Sequence, residues 1–494
     1  MLCVTGNESS VEELVARVAA SDARCRAAGL ERPLQELRLD ALVRLDDAVF
    51  DAMRAIAGRA LVCCRPTRHG GAFAGSEEER LALLRRAIDV GARLVDVEED
   101  LSPDAIRVLQ RAPRPHRDES SDGGPAGLVL SLHDFQGVPA DLAVRVERMA
   151  SLGGDVLKVA VGVSDAAELL GLLDACAPFE QPTVVIGMGF AGRLSRTHYA
   201  ALGSPFTFVA ASSERATAPG QLTLEDALAL GMPETASRPF CALVGSGPLS
   251  ASPGPRVYNR LFRTLGRRMS YVTVSTEDLL RAMPLLERAG AVGLSVTMPH
   301  KRSALAIGVP DAVAREVGAA NSLRLRGGWE STNTDVAGVA EPLARALEAR
   351  SATRALVLGA GGAARAASVA CKRLGLDVIV CARDVAMARD VAGADGQAVP
   401  WDERLTLGPL DDVALIQTTP LTGSASPWPD AVPLDAAIVF DTALGHGESR
   451  LLEAARSRGA LVLPPLAMWF AQGAAQMSWI LDEPIAARML EEHA

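Results

Sequence analysis

Lysine is nearly missing from this chain. Of 50 basic residues in 494, only Lys158, Lys301 and Lys372 are lysines, and arginine supplies the rest. Where a generic positive charge is enough, arginine serves, so a surviving lysine marks a position that wants a compact amine able to lose its proton. Lys372, in the helical stretch CKRLG, reads as a chance survivor. Metal-ligand spacing and a disulfide framework are also missing among the eight cysteines, two of which, Cys63 and Cys64, sit together in an apolar run. A reduced, cytoplasmic setting is expected, with no metal site. No apolar run reaches the roughly 18 residues of a membrane span. The opening MLCVTGNESSVEELVARVAA lacks the basic and apolar regions of a targeting peptide, so none is expected. With a formal charge of −10 and no block of like charges, the expected partners are small molecules, not nucleic acid or an anionic membrane.

What is present is alternation. From residue 1 to about 230, short apolar runs (LCVTG, LQELRLD, ALVCCR, RLVDVE, GLVLSLH, DVLKVAV, TVVIGMG and FTFVAAS) alternate with helical patterns or connections. Ser76 opens SEEERLALLRRAI with Glu79 completing a capping box, and Leu81, Leu84 and Ile88 fall on one face. Eight strand–helix units over this length predict a parallel (β/α)8 barrel.

Alternate side chains of a barrel strand face the interior. In the second run, Leu37 and Leu39 suit the helix layer, which leaves Glu36, Arg38 and Asp40 inward. The same parity turns Arg65, Glu98, His133 and Lys158 inward near the carboxyl ends of their strands. Ionisable groups are costly inside a barrel, so charges from five strands converging at that end predict a ligand site.

These residues resemble type I dehydroquinate dehydratase through ELRLD, the arginine of CCRPTRHGG, SLHDFQGVP, the lysine of DVLKVAV, GRLSR and ATAPGQ. The resemblance implies that Lys158 forms a Schiff base with the substrate ketone while His133 removes the adjacent proton and later helps the hydroxyl leave. It implies Arg196 at the substrate carboxylate, and Glu36, Arg38, Arg65, Thr217 and Gln221 at the remaining polar groups. Thr217 stands where serine is usual. His69 stands where the family has a glutamate that orients the catalytic histidine; a neutral imidazole can hydrogen-bond His133 but brings no negative charge. A slower or pH-shifted dehydratase is expected.

Turn formers in GMPETASRPF place a boundary near residues 231–240, before a fresh strand, CALVGSG. Downstream, RALVLGAGGAARAASVACKRLG has the strand, glycine turn and helix of a dinucleotide-binding unit. Gly359 and Gly361 permit the turn and a close approach to pyrophosphate, and Ala364 permits close helix packing; Gly359, Ala360, Gly361, Gly362 and Ala363 are the expected cofactor seat. The next strand, VIVCAR, ends in Arg383 where NAD enzymes usually carry an acid, which favours NADP(H) through its 2′-phosphate.

GLSVTMPHK, GAANS and STNTDVAG resemble the substrate half of shikimate dehydrogenase, and the likeness runs from about 240 to 494. It implies Lys301 and Asp335 as a dyad moving a proton to or from the substrate hydroxyl, with Thr297, Asn321 and Gln472 on substrate hydroxyls, Ser252 on the carboxylate and Met468 at the cofactor. Two of the three lysines thus coincide with the two amines these families use. The chain departs from the second family at Gly254, Tyr258, Ser295, Gln417, Leu444 and Pro465. Gly254 removes a hydroxyl and opens space for a quinate-like ring.

The expected architecture is a barrel over 1–232, a substrate lobe over 239–340 completed by 466–494, and a Rossmann domain over 341–465. The expected function is bifunctional: 3-dehydroquinate is dehydrated to 3-dehydroshikimate, which is then reduced to shikimate. Two alternatives stay open. One is a shikimate or quinate dehydrogenase carrying a silent barrel; the other is a non-catalytic sensor, since fungal regulators of quinate use resemble the same enzymes.

Overall fold

The apolar runs of the first 210 residues form eight parallel strands in the computed structural model, which describes residues 1–112, 127–247, 249–445 and 449–494. They are β1 (Leu2–Thr5), β2 (Leu34–Arg38), β3 (Ala60–Cys63), β4 (Leu94–Glu98), β5 (Gly127–Asp134), β6 (Val156–Gly162), β7 (Thr183–Met188) and β8 (Thr207–Ala210). Their order is β7-β6-β5-β4-β3-β2-β1-β8, the sequential neighbour pairing of a (β/α)8 barrel. At the seam between the two ends of that order, Val185 N–H donates to Ser204 Oγ at 3.0 Å. Cys3, Leu34, Leu61, Val184, Ile186 and Phe208 form one buried apolar cluster.

The capping box at Ser76 and Glu79 is formed, and Leu84 and Ile88 are buried, but Leu81 is only half-buried. The same helix, Glu77–Asp89, carries a fully buried cation, Arg80.

Beyond the barrel, β9 (Phe240–Gly245), β10 (Ser270–Ser275), β11 (Ala291–Val296), β12 (Val309–Pro310), β13 (Ser322–Leu325) and β14 (Trp329–Thr332) make a mixed sheet ordered β10-β9-β11-β13-β14-β12. A third sheet holds β15 (Arg354–Leu358), β16 (Asp377–Ala382), β17 (Gln397–Pro400), β18 (Val413–Gln417), β19 (Ile438–Asp441) and β20 (Leu461–Leu463). Its order, β17-β16-β15-β18-β19-β20, with every neighbouring pair parallel, is that of a doubly wound dinucleotide fold. Alternation explains the double layer: Ala355 and Val357 join one apolar cluster, Leu356 and Leu358 the other.

The described chain divides into two compact units, one of Met1–Ala242, Ser246–Ser252 and Gly266–Ala291, the other of Leu243–Gly245, Pro253–Leu265 and Val292–Ala494. The first therefore reaches past the turn-rich stretch near residue 235. Residues 266–291 join it because their polar backbone is satisfied there. Asp165 accepts from Glu277 N–H at 2.6 Å and from Thr276 Oγ1 at 2.8 Å, and Ala166 N–H donates to Ser275 O at 3.1 Å. His198, buried and packed on the Phe240 ring at 4.0 Å, has Nε2 3.3 Å from Ser270 Oγ; burial pushes its pKa down to about 3, so it sits there neutral.

Candidate active sites

Lys158 lies on β6, 4% exposed, with its ammonium 4.3 Å above the Phe208 ring. Its Nζ donates to Asp96 Oδ2 at 2.7 Å, and Ser131 Oγ donates to the other Asp96 oxygen at 2.5 Å. Burial raises the Asp96 carboxyl, but the Lys158 and Arg65 cations and the Ser131 hydroxyl outweigh it and hold the group below its ordinary value. The amine's immediate charged neighbour is thus an acid, not only the arginines expected from sequence.

Asp96 was not among the predicted residues. It lies two positions before Glu98 on the same strand, so the parity that selected one selects the other. Arg80 was missed because it comes from a helix: its NH1 donates to Glu98 Oε2 at 2.7 Å and its NH2 to Glu77 at 2.6 Å.

Arg65 stands 3.6 Å from Glu98 Oε1 and 3.9 Å from Asp96 Oδ2, and its buried Nε and NH2 make no hydrogen bond. Arg38 grips Asp40 through two bonds of 2.9 and 2.6 Å. Asp40 also accepts from the backbone N–H of Arg65 and Ala72, both at 3.1 Å, which ties the loop after β3 to β2. Glu36 is 4% exposed, within 3.9 Å of the Cys63 thiol. His133, at the end of β5, has a buried Nδ1 without a partner; burial, then the Arg65 and Lys158 cations, push its pKa well below the usual 6.5. His69 lies in the turn after β3, with Nε2 3.0 Å from Asp100 Oδ2.

The loops after β7 and β8 carry the rest. Thr217 N–H and Oγ1 both donate to Gln221 Oε1, at 2.8 and 3.2 Å. Arg196 is 1% exposed, its Nε is unpartnered, and burial with the nearby Arg193 lowers its pKa to about 10. A buried guanidinium with neither a carboxylate nor full hydrogen bonding among the described residues is poised for an anion. Arg196→Met is therefore expected to raise the KM of the barrel reaction by at least about 30-fold, a loss of about 2 kcal/mol. Because the free protein loses an uncompensated charge, its melting temperature should hold or rise; a fall in melting temperature with KM unchanged would mean that Arg196 serves the fold and not the substrate.

In the second unit, Lys301 Nζ donates to Asp335 Oδ2 at 2.6 Å. Asp335 is the first residue of the helix Asp335–Ala349, where the helix dipole favours a carboxylate. Asn321 Nδ2 donates to Asp335 Oδ1 at 2.8 Å, and Asn321 Oδ1 accepts from Thr334 N–H at 2.9 Å. Both ends of this amide are engaged, so in this arrangement it orients the carboxylate. Thr297 follows β11, its N–H bonded to Val244 O at 2.9 Å. Gln472 and Met468 lie on the helix Pro465–Leu481, which meets Asp335–Ala349 at Gly338: a Cβ there would stand 2.6 Å from the Gln472 Cβ and 3.1 Å from Met468 O. Gln476 of the same helix accepts from Ser295 Oγ at 2.5 Å and donates to Ser322 Oγ at 2.7 Å. Ser295 is thus one end of a polar chain leading to Asn321, whose carbonyl accepts from Gln476 at 3.1 Å. Tyr258 stacks on Trp469 with ring centroids 5.6 Å apart. Ser252, half-buried and assigned to the first unit, precedes the helix Gly254–Thr264 with its N–H bonded to Leu249 O at 3.2 Å.

The residues after β15 fit a dinucleotide. Gly359 has φ +116°, and a Cβ there would meet Thr418 Oγ1 at 2.7 Å. Gly361 caps the helix Gly362–Arg373 with open space where a side chain would stand, so phosphates can approach the free N–H groups. Ala364 is fully buried, while Arg383 is exposed and makes no ion pair with any described residue. Its neighbour Asp384 accepts from Ala386 and Met387 N–H, capping the next helix, and so does not neutralise it. Gln417 is buried and holds the facing loop through Thr419 and Leu421. The Lys301 Cδ lies 3.5 Å from where a Cβ on Gly362 would sit, which brings the dyad lysine to the start of this helix.

Among the described residues no three His, Cys, Asp or Glu side chains are grouped to hold a metal ion, and no helix is long and apolar enough to cross a membrane.

Comparison with known proteins matches residues 13–230 to the model of type I 3-dehydroquinase and residues 243–323 to that of the shikimate dehydrogenase substrate binding domain. The chain is similar to the chloroplastic bifunctional 3-dehydroquinate dehydratase/shikimate dehydrogenase of Arabidopsis thaliana, at 26% identity over 96% of this chain and 80% of that one. It is 37% identical to the 3-dehydroquinate dehydratase of Syntrophobacter fumaroxidans over 39% of this chain and 82% of the relative. To the shikimate dehydrogenase (NADP(+)) of Synechocystis sp. it is 32% identical over 48% of this chain and 88% of the relative. The chain belongs to the type I 3-dehydroquinase family through its barrel and to the shikimate dehydrogenase family through the segment that follows.

Proposed function

We propose that this protein carries out two successive steps, dehydrating 3-dehydroquinate to 3-dehydroshikimate in the barrel and reducing that ketone to shikimate with NADPH in the second half. Residues 1–232 form the dehydratase, 239–340 with 466–494 the substrate lobe, and 341–465 the cofactor domain. The observation that carries this reading is the pairing of scarce lysines with buried carboxylates: Lys158 with Asp96 at 2.7 Å and Lys301 with Asp335 at 2.6 Å.

In the barrel, Arg196 holds the substrate carboxylate, and the free donors of Arg65 take a ring hydroxyl. Lys158 Nζ attacks the ketone as the neutral amine; the proton given up by its ammonium leaves in the water lost, and the protonated imine stays paired with the Asp96 carboxylate. His133, kept neutral by burial and neighbouring cations, takes the proton from the adjacent carbon. The same group returns it to the departing hydroxyl, and hydrolysis frees Lys158. In the second half NADPH, when bound, supplies the hydride. Lys301 donates a proton to the oxygen that was the ketone, while Asp335, fixed by Asn321, keeps the ammonium aimed.

The test is ultraviolet absorbance after adding dehydroquinate alone to the purified chain, because dehydration creates a conjugated enone that the substrate lacks. Appearance of the enone supports the two-step reading. Its absence, with NADPH still oxidised by dehydroshikimate, would reduce the protein to a dehydrogenase with a silent barrel. The pH profile tests the base. A histidine of ordinary pKa would be only about one quarter neutral at pH 6. With His133 held well below that value, kcat/KM for dehydration at pH 6 is expected to stay close to its value at pH 7.5. A drop to about a quarter would remove His133 as the depressed base.

A further inference from the structure

The polar chain that joins Ser295 to Asn321 continues to Asp335, and the chemistry above leaves its outer members unused. Ser295, Gln476, Ser322, Asn321 and Asp335 are all buried, so their hydrogen-bonding atoms are satisfied by one another and not by bulk water. The helix Pro465–Leu481 brings in Gln476. Met468, Gln472 and Gln476 recur every four residues and share one face of it. That face is held against the helix Asp335–Ala349 at Gly338, one turn beyond Asp335, where a side chain would collide with Gln472 and Met468.

Two groups with a single role fix the two amides. A backbone carbonyl can only accept, and Asn321 O takes Gln476 Nε2–H at 3.1 Å, so the Gln476 nitrogen faces the Asn321–Ser322 segment and its oxygen faces Ser295. A backbone N–H can only donate, and Thr334 N–H gives to Asn321 Oδ1 at 2.9 Å, which leaves the Asn321 nitrogen for Asp335 Oδ1 at 2.8 Å. Ser322 stands between the amides. Its Oγ receives Gln476 Nε2–H at 2.7 Å, and its one proton goes to Asn321 Oδ1 at 2.8 Å, the other acceptor, Thr334 Oγ1, being 3.5 Å away. Ser295 Oγ–H donates to Gln476 Oε1 at 2.5 Å. The donors of Ser295, Gln476, Ser322 and Asn321 therefore all point the same way along one row, and the row ends on a carboxylate. Hydrogen bonds aligned head to tail polarise one another, so the last bond is strongest when the row is complete.

We propose that Gln476 is a positioning residue of the dehydrogenase: through Ser322 it sets the direction of a donor row that holds Asn321 against Asp335 Oδ1 and leaves Oδ2 to Lys301. This rests on the reductase reading above. With Gln476 gone, the Ser322 proton is no longer obliged to face Asn321 and can turn toward Thr334 Oγ1. The Asn321 amide then loses one of the bonds that keep its oxygen away from the carboxylate, and the Lys301 ammonium loses its fixed aim.

The experiment is a double-mutant cycle on the full chain, read as NADPH oxidation by dehydroshikimate. Gln476→Met keeps the volume and removes the donors, and Ser322→Ala cuts the row one step later. Each is expected to lower kcat at least about fivefold, the worth of one buried hydrogen bond, with the KM for dehydroshikimate changed by less than about twofold. Because both cut the same row, the double variant should turn over within about twofold of the slower single variant. Unchanged kcat in either single variant overturns the proposal, whatever the melting temperature does. Losses that multiply in the double variant overturn it as well, because they mark two separate structural effects. A native chain that oxidises no NADPH with dehydroshikimate would instead defeat the reductase reading. The proposal is then decided by the carbon-13 resonance of the Asp335 side-chain carboxyl, which Gln476→Met and Ser322→Ala must both move; a resonance unmoved by Gln476→Met overturns it.

Discussion

Replacing Lys158 by arginine is expected to abolish dehydration, by at least about 10⁴-fold or roughly 5 kcal/mol in barrier, while leaving the dehydrogenase at its native rate. The substitution keeps the charge, most of the length and the carboxylate partner Asp96, so the barrel should still fold around a cation at that position. What it removes is the ability to become a neutral amine and form an imine, since a guanidinium stays protonated. Arginine is this chain's default cation, so the test asks whether Lys158 is an exception for chemical reasons. Lys301→Arg serves as the mirror control, with dehydration unchanged and dehydroshikimate reduction lost, because the dyad needs a donor whose pKa is low enough to release a proton. Borohydride trapping in the presence of dehydroquinate should attach the ring covalently to the native chain, with the mass gain of a reduced imine, and not to the Lys158→Arg chain. Turnover by Lys158→Arg within about tenfold of native would exclude a covalent mechanism at this site.

Much of this was legible because both folds repeat a simple period. All eight barrel strands fall on the apolar runs picked from sequence, with β5 and β6 each running one residue further, and the inward parity of Glu36, Arg65, His133 and Lys158 follows from position on the strand alone. The Rossmann turn was legible for a different reason: Gly359 at φ +116° and Gly361 at a helix cap leave few other residues that would fit. Partners were not legible. Asp96 shared the parity of Glu98 yet was passed over, and its importance appears only when β4 and β6 bring it within 2.7 Å of Lys158. Arg80 could not be read from strand parity, since it enters from a helix whose pattern marks only an apolar face. Asn321 was read as a substrate contact, but its amide is engaged by Asp335 and Thr334, a matter of rotamer that sequence does not encode. The contacts of residues 266–291 with Asp165 and His198 likewise join parts more than 70 residues apart in the chain.

Arg80→Met should show how much the barrel depends on one of these unread partners. Arg80 is fully buried, its NH1 is 2.7 Å from Glu98 Oε2, and it also donates to Cys64 O at 3.2 Å. Methionine keeps the apolar stem but leaves Glu98 in the interior with only Arg65, at 3.6 Å and not hydrogen-bonded, for company. Breaking a buried pair from one side typically costs about 3–5 kcal/mol, and a loss of unfolding free energy of that size, read from the fall in urea midpoint at unchanged slope, is expected for the barrel transition. The sign of its pH dependence is fixed by Glu98. Burial, then the nearby Asp96 carboxylate, already raise its pKa despite Arg80 and Arg65; removing Arg80 raises it further. A carboxyl whose folded pKa lies above the unfolded one favours folding most where it is protonated, and that contribution is lost as pH rises through the folded value. The penalty of Arg80→Met should therefore be largest at neutral pH and shrink toward pH 5, at a higher pH than for a lost surface ion pair, whose carboxylate protonates only near about pH 4. Adding Glu98→Gln should recover part of the midpoint by removing the stranded charge. If the double variant is less stable than Arg80→Met alone, the cost lies in lost packing and backbone contacts, and not in the unpaired carboxylate.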